Sequence, residues 1–250
     1  MGAARGRYTR LVETLTSTVE EYLEKLFWMN EAGIDATQAN LARAVGVSQP
    51  TALEMVRRLT DDGLVVRDER KRLAFTDEGE QLASRIVTRH RLIEAFLVQV
   101  FGIPWDEVHE EAHSFEHGIS ENLEERMRML LVGVTTCPHG HPIGDAPREP
   151  GVPLVTVPVG STVRILRHEN EAEELLHAFK RAGIEPGDSI EVAGLTGEVL
   201  ELQTPAKGAT TLSIPESRAV TVAIETRGGG EIAEVDVPGA AVALHTSWGR

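Results

Sequence analysis

The sequence predicts a mainly α-helical N-terminal two-thirds, comprising a winged helix-turn-helix unit and a second helical unit, followed by a small C-terminal β-barrel. Three observations carry this. Apolar residues recur at helical spacing from TSTVEEYLEKLF to ENLEERMRMLLVG. A Pro- and Gly-rich stretch at 135–153, TTCPHGHPIGDAPREPGVP, then breaks the pattern. Beyond it, short Val/Ile-rich runs separated by turns fill 158–238, as in a small open barrel.

In TSTVEEYLEKLFWMNEAG, Val19, Tyr22, Leu23, Leu26 and Phe27 share one helical face, and Gly33 ends the helix. In TQANLARAVGVSQPTALEMVRRLTDDGLV, Thr37 caps a short helix that runs through Val45, and Gly46 makes a tight turn. Ser48 caps the next helix, and Pro50 sits in its first turn, where a missing N–H costs nothing. Two helices joined by a short Gly-containing turn form a helix-turn-helix. GLVVRDERKRLAFT then alternates about a charged turn at 68–71, as a two-stranded wing does. Many helical domains contain such a helix pair without touching DNA. The wing and the basic set Arg57, Arg58, Arg67, Arg70, Lys71 and Arg72 favour the DNA-binding reading.

Ser48, Gln49, Pro50 and Thr51 open the recognition helix, where Gln pairs with adenine and Pro touches a thymine methyl. Thr37, Arg43, Arg57, Arg58, Arg70 and Arg72 are the accompanying contacts expected on the DNA, the arginines on phosphates.

From Asp77 the helical period continues, with Leu82, Ile86, Ile93, Phe96, Leu97 and Val100 as its stripe. A break at 102–104 starts WDEVHEEAHSFEHGIS, and ENLEERMRMLLVG is a third helix. So much apolar stripe points to a helical dimer interface that presents two recognition helices to successive half-sites. Strands are expected at 163–166, 189–192, 198–203, 211–214 and 220–224, interrupted by the helix NEAEELLHAFKRAGI. The expected boundaries are 1–76 for DNA binding, 77–148 for dimerisation and metal binding, a linker at 149–157, a barrel at 158–238 and a tail at 239–250, where His245 needs no role.

The formal net charge of −14 argues against nucleic acid until its distribution is considered: residues 1–75 hold 11 Lys/Arg and 11 Asp/Glu, so the remainder carries the excess. Phosphate contacts are short-range under physiological screening, so a neutral first third can bind DNA while the acidic remainder suits cations. No apolar run approaches the roughly 18 residues of a membrane span. The start, MGAARGRYTRLVETLTSTVEEY, turns acidic where a signal peptide needs an apolar core, and the single cysteine, Cys137, forms no internal disulfide. A cytoplasmic location with no membrane partner is expected.

The metal-capable residues are clustered. At about 100° per residue, His109, His113, Glu116 and His117 share roughly 100° of one helix face. His90 and Glu94 stand at i,i+4, Glu21 and Glu24 at i,i+3 on the first helix, and Cys137, His139 and His141 lie close together in the Pro/Gly stretch. Each has a bland alternative: a solvated Glu pair, a surface His/Glu contact, a simple turn. HSFEH also matches the H-x-x-E-H of inverted zinc peptidases, where Glu116 would be the general base. That reading needs a third ligand, an open position and a cleft, whereas Glu21 and Glu24 would tend to close the site. A structural zinc site is disfavoured because one cysteine gives no four-thiolate set.

EEYLEKLF, LARAVGVSQPTALEMVRRLTDDGLV, RHRLIEAFLVQVFGI, VHEEAHSFEH and CPHGHPIG together resemble the diphtheria-toxin-repressor/manganese-transport-regulator family of metal-dependent repressors over nearly the full length. The resemblance implies a winged-helix domain, a helical dimerisation domain with two metal sites, and an SH3-like (FeoA-like) C-terminal domain. It implies a primary site from Glu21, Glu24, His113, Glu116 and His117, and an ancillary site from His90, Glu94 and His109. Cys137 and His139 match a Cys-x-His of manganese-responsive members, and His90 can serve either site. Glu169, Asn170 and Glu171 are the candidates for the C-terminal domain's ligand.

Two positions depart from the iron-responsive branch: Glu21 replaces methionine and His113 replaces cysteine. The manganese branch more often has a carboxylate at the His113 position. Exchanging sulfur for carboxylate and imidazole hardens the site, which suits Mn(II). The expectation is therefore a non-enzymatic, Mn(II)-activated repressor of metal-uptake genes, a homodimer with one or two dimers on a palindromic double-stranded DNA operator. Fe(II) is the alternative effector, and Zn(II), Co(II) or Cd(II) would substitute in vitro.

Overall fold

The computed structural model describes residues 16–116 and 118–233. They fall into two compact units that divide between Thr88 and Arg89. His117 and the expected tail, with His245, lie outside the described residues.

In the first unit, α1 (Ser17–Glu31) turns Val19, Tyr22, Leu23, Leu26 and Met29 into the core, while Phe27 packs at its margin. α2 (Gln38–Val45) and α3 (Gln49–Asp61) form the helix-turn-helix, and cap chemistry sets their limits. Thr37 Oγ1 accepts the Asn40 N–H at 3.1 Å, Gly46 takes φ 75°, and Ser48 Oγ accepts the Thr51 N–H at 3.3 Å. Leu41, Ala52, Val56 and Leu59 bury the faces between the helices.

The wing is β1 (Val65–Arg67) against β2 (Leu73–Phe75), antiparallel with Arg67 opposite Leu73. Its loop reaches Arg72, one residue beyond the expected turn, because Lys71 adopts a left-handed φ of 61°. The Asp68 carboxylate organises this loop, accepting the Arg70 N–H at 2.9 Å, the Arg72 N–H at 2.8 Å and the Arg72 Nε–H at 2.8 Å. α4 (Asp77–Phe96) follows, and Gly79 lies so close to the wing that a Cβ there would stand 1.9 Å from the Leu64 carbonyl oxygen.

α4 ends in the second unit, extended by a π turn (Leu97–Phe101) that Gly102 closes at φ 70°. α5 (Val108–Glu116) and α6 (Glu121–Leu130) pack Val108, Ala112 and Met127 against Ile93, Phe96 and Leu97. Val100, Phe101, Met129, Leu130 and Val132 remain exposed. The Cys-Pro-His-Gly-His segment forms a tight loop in which Cys137 N–H donates to His141 O at 2.8 Å and Gly140 takes φ 89°.

The C-terminal part is an antiparallel sheet of β3 (Val152–Pro153), β4 (Thr162–His168), β5 (Ser189–Thr196), β6 (Val199–Thr204), β7 (Gly208–Ser213) and β8 (Val220–Thr226). Among the described residues the order is β3-β8-β4-β5-β6-β7, and no ladder joins β3 to β7, so the sheet is open. α7 (Glu173–Ala182) follows β4 and buries Leu176 and Phe179. Two local expectations change. β3 lies in the stretch expected to be linker, and the strand expected to reach residue 214 stops at Ser213, where a capping box with Glu216 starts α8 (Ile214–Arg218).

Candidate metal centre and nucleic-acid interface

In the second unit, α4, α5, the 137–141 loop and the segment after β4 bring nitrogen, oxygen and sulfur donors together. His90 and Glu94 project from one face of α4, His109 from α5, Cys137 and His139 from the loop, and Glu171 from the chain leading into α7. All six are buried. Glu94 Oε1 lies 3.2 Å from His90 Nε2, 3.1 Å from His109 Nδ1 and 3.3 Å from His139 Nδ1. Glu171 Oε2 lies 2.9 Å from His109 Nδ1 and 3.6 Å from His139 Nδ1.

These groups demand positive charge. Burial opposes ionisation of Glu94, yet His139, His90 and the hydrogen bond from His109 outweigh it and hold the carboxyl well below the usual range. At Glu171, burial and the Glu94 charge are outweighed by His139 and His109, and the carboxyl falls to about 2. Burial opposes protonation of His139, but Glu94 and Glu171 raise it well above an ordinary imidazole. Burial, then Glu94, pushes the Cys137 thiol up to about 11.

The donors also fit a divalent cation. Two N/O ligands on one ion, bonded at about 2.1 Å, stand roughly 3.0–3.4 Å apart along an octahedral or tetrahedral edge. The spacings of His90, Glu94 and His109 fall in that range. Among the described residues, nothing donates a hydrogen bond to the buried Glu94 Oε2. The supporting groups carry little sequence signal: the Trp105 carbonyl oxygen accepts the His139 Nε2–H at 2.8 Å, and the His168 carbonyl oxygen accepts the His141 Nε2–H at 2.8 Å.

His90 turns its Nδ1 to Glu116 Oε2 at 3.0 Å, and His113 Nδ1 meets Glu116 Oε1 at 3.1 Å. Burial opposes ionisation of Glu116, but hydrogen bonds from His113 and His90 hold its carboxyl at about 2. Glu21 and Glu24 stand on α1 in the first unit, Glu24 buried and Glu21 partly so. Glu169 joins a different network, with Arg148 Nη2 at 2.7 Å, Arg167 Nε at 3.1 Å and Thr221 Oγ1 at 2.6 Å. Asn170 Oδ1 accepts the Ala172 N–H at 3.0 Å, so Glu171 is the member of that trio beside the other donors.

On the first unit, Ser48, Gln49, Pro50 and Thr51 form an exposed run at the start of α3, with Arg57 and Arg58 exposed farther along and Arg43 exposed on α2. The Thr37 and Ser48 hydroxyls are engaged in capping. Arg70 is exposed at the wing tip, whereas Arg72 pairs with Asp68 at 2.8 Å and Asp35 at 3.2 Å. Arg58 pairs loosely with Asp62 at 3.8 Å.

A winged helix-turn-helix with an exposed recognition helix, joined to a helical unit rich in buried metal donors, defines a metal-dependent DNA-binding regulator. Residues 14–73 match the family described as the N-terminal DNA-binding domain of iron-dependent repressors, and residues 76–145 match their metal-binding and dimerisation domain. The chain is 33% identical over 228 residues to the iron-dependent repressor IdeR of Mycobacterium tuberculosis strain H37Rv, covering 84% of this chain and 98% of that one. It is 32% identical over 203 residues to the diphtheria toxin repressor of Corynebacterium efficiens, covering 76% and 88%. A solved structure of a manganese-dependent transcriptional repressor in complex with manganese aligns with a TM-score of 0.75 at 31% identity, covering 82% and 99%.

The chain belongs to the iron-dependent repressor family, the diphtheria-toxin-repressor/manganese-transport-regulator group of metal-dependent transcriptional repressors. Its members are DNA-binding transcriptional repressors and not enzymes. The family's domains bind DNA and form dimers. Among the described residues no helix is long and apolar enough to cross a membrane.

Proposed function

We propose that this protein is a cytoplasmic, Mn(II)-activated repressor of metal-uptake genes that binds a palindromic operator as one or two dimers. The observation that carries the metal choice is the exchange of two sulfur donors of the iron-responsive branch for Glu21 and His113, which leaves a hard donor set. The manganese-dependent repressor aligned above supports that choice. Fe(II) is the second reading, favoured by the iron-dependent relatives.

Glu21 and Glu24 of the first unit, with His113, Glu116 and His117 of the second, form the primary site in this proposal. His90, Glu94, His109, Cys137, His139 and Glu171 form the ancillary centre, and the C-terminal sheet acts as an SH3-like domain that delivers Glu171. A bound divalent ion supplies the positive charge that these carboxylates need to share a site. Without it the carboxylates repel one another, and α1 is free to move. With it, the acidic face of α1 is fixed to the dimer domain, and the two recognition helices keep the spacing of successive half-sites. A coupling of about 1–3 kcal/mol changes operator affinity roughly 5–150-fold.

Glu116→Gln tests the primary-site assignment. The variant should remain a folded dimer by sedimentation and lose metal-dependent operator binding; an unchanged metal response would remove Glu116 from the switch.

A further inference from the structure

Arg67 belongs to the basic set of the wing, yet its guanidinium is aimed along the protein. Its Nη2–H donates to Gln38 Oε1 at 2.9 Å, and its Nη1–H donates to the Lys71 carbonyl oxygen at 3.3 Å. Gln38 is the first residue of α2, and its Nε2–H donates in turn to the Gln49 carbonyl oxygen at 3.3 Å. Gln49 is the first residue of α3. The wing loop, the start of α2 and the start of α3 are thus joined by three side-chain hydrogen bonds. We propose that Arg67 and Gln38 are positioning residues for operator binding, a relay that fixes the wing relative to the base-reading end of α3. The inference rests on the reading of this unit as the operator-binding domain.

The chemistry allows one orientation of the relay. A guanidinium only donates and a peptide carbonyl only accepts, so the Gln38 amide must turn its oxygen to Arg67 and its nitrogen to Gln49. Glutamine suits the middle position because one planar group carries both functions. The fork of Arg67 spans two acceptors in fixed directions, a geometry that the point-like ammonium of lysine does not reproduce.

The other strand of the wing is tied to the same short segment. Leu73 N–H donates to the Ala36 carbonyl oxygen at 2.7 Å, and Arg72 bridges Asp68 at 2.8 Å and Asp35 at 3.2 Å. Residues 35–38 therefore hold β1 through Gln38 and the start of β2 through Asp35 and Ala36. Leu64, Val65 and Leu73 are buried at the base of the wing. Its tip, residues 69–71, is exposed and takes its direction from the polar contacts. Arg70 and Lys71 stand there, as cations that position a protein on phosphates do.

Exposed hydrogen bonds and ion pairs contribute little to folding, because water competes for each partner. Docking on DNA displaces that water and strengthens them. A wing already in place also loses less freedom when it docks. The relay therefore acts on operator affinity more than on stability.

The test uses the full-length dimer loaded with Mn(II) and a duplex that the wild-type protein retains from a random-sequence pool, with binding followed by fluorescence anisotropy. Gln38→Ala, Arg67→Lys and the double variant are compared with wild type at several salt concentrations. Arg67→Lys keeps the charge and loses the fork, so a phosphate contact survives it and the relay does not. Each single variant should weaken binding about threefold to tenfold, the range of one net hydrogen bond, with the salt slope unchanged. The double variant should be no weaker than the worse single, because both break one relay. Urea midpoints of all three should match wild type. Wild-type affinity in Gln38→Ala, or losses that multiply in the double variant, would overturn the relay and leave the DNA-binding reading standing. Losses that track a fall in the urea midpoint would make the contacts structural and overturn it as well. A wild-type dimer that retains no duplex, with or without metal, removes the DNA-binding reading and the relay with it.

Discussion

His139 donates its Nε2–H to the Trp105 carbonyl oxygen at 2.8 Å, and this bond decides which ring nitrogen faces the two buried carboxylates. Nδ1 is left pointing toward Glu94 and Glu171, at 3.3 and 3.6 Å. A ligand imidazole fixed in orientation by a backbone carbonyl is the usual support for a metal-binding histidine. Removing the ring should therefore lower second-unit metal affinity about 10–100-fold or more, the loss associated with disturbing such support. Isothermal titration of His139→Ala with Co(II) measures it, and wild-type affinity would exclude His139 from the centre.

Glu169 and Glu171 are two residues apart and should behave oppositely. Glu171→Gln weakens metal binding, because its oxygen is 2.9 Å from His109. Glu169→Gln leaves metal binding nearly intact and costs about 1–3 kcal/mol of stability through weakened hydrogen bonds to Arg148 and Arg167. Metal titration and urea unfolding of both variants separate the two effects; a reversal of their roles would contradict the placement.

Gly79→Ala should destabilise the winged-helix unit although Ala is favoured in a helix by about 1 kcal/mol. The new methyl would meet the Leu64 carbonyl oxygen at 1.9 Å, and backbone must move to admit it. A net loss of about 1–3 kcal/mol is expected in denaturant unfolding, in line with other overpacked sites. A stabilised variant would show that α4 and the wing do not approach so closely.

His168 predicts an acid limb in the stability profile. Its ring is fully buried and stacks on Phe179 at 4.7 Å. Burial, aided by His139 and His141, lowers its pKa from 6.5 to about 3. The folded state therefore binds the proton less readily than the unfolded chain. The contribution of neutral His168 is complete above pH 6.5 and is lost as pH falls toward about 3. At pH 5 this loss amounts to about 2 kcal/mol by linkage. In His168→Phe the unfolding free energy should fall less between pH 7 and pH 5 than in wild type. Equal slopes would remove His168 as the cause.

Arg57→Ala should weaken operator binding about evenly across sequences and reduce the salt slope by about 1, as for loss of one phosphate contact. Ser48→Ala loses about 1 kcal/mol of helix stability through its cap, with any DNA effect following from α3. Binding isotherms at several salt concentrations distinguish the two. An unchanged salt slope for Arg57→Ala would take that residue off the DNA backbone.

Much of the fold is legible because its signals are local. Thr37, Gly46, Ser48 and Pro50 mark the helix-turn-helix by cap and turn chemistry alone, and β4, β5, β6 and β8 coincide with Val/Ile-containing runs, whereas β7, GATTLS, holds neither residue. Ser213-Ile-Pro-Glu216 is a capping box, and it ends the strand at Ser213, one residue short of the expected end. β3 is two residues long and owes its existence to β8, so no local pattern announces it. At the buried donor cluster, the i,i+4 pair His90/Glu94 and the Cys-x-His of the loop are visible as spacing. The position of Glu171 rather than Glu169 beside them depends on where β4 ends and α7 begins. The Trp105 carbonyl is a backbone group that any residue could supply, which is why it leaves no mark in the sequence.

The most direct test of the central claim is binding of the metal-free dimer to a palindromic operator from a manganese-uptake promoter. Fluorescence anisotropy at fixed salt would follow separate titrations with Mn(II), Fe(II) and Zn(II). The account predicts operator binding that appears only with metal, and with Mn(II) at a lower free concentration than Fe(II). An equal or stronger response to Fe(II) would contradict the choice of metal, and binding indifferent to every metal would contradict the mechanism itself.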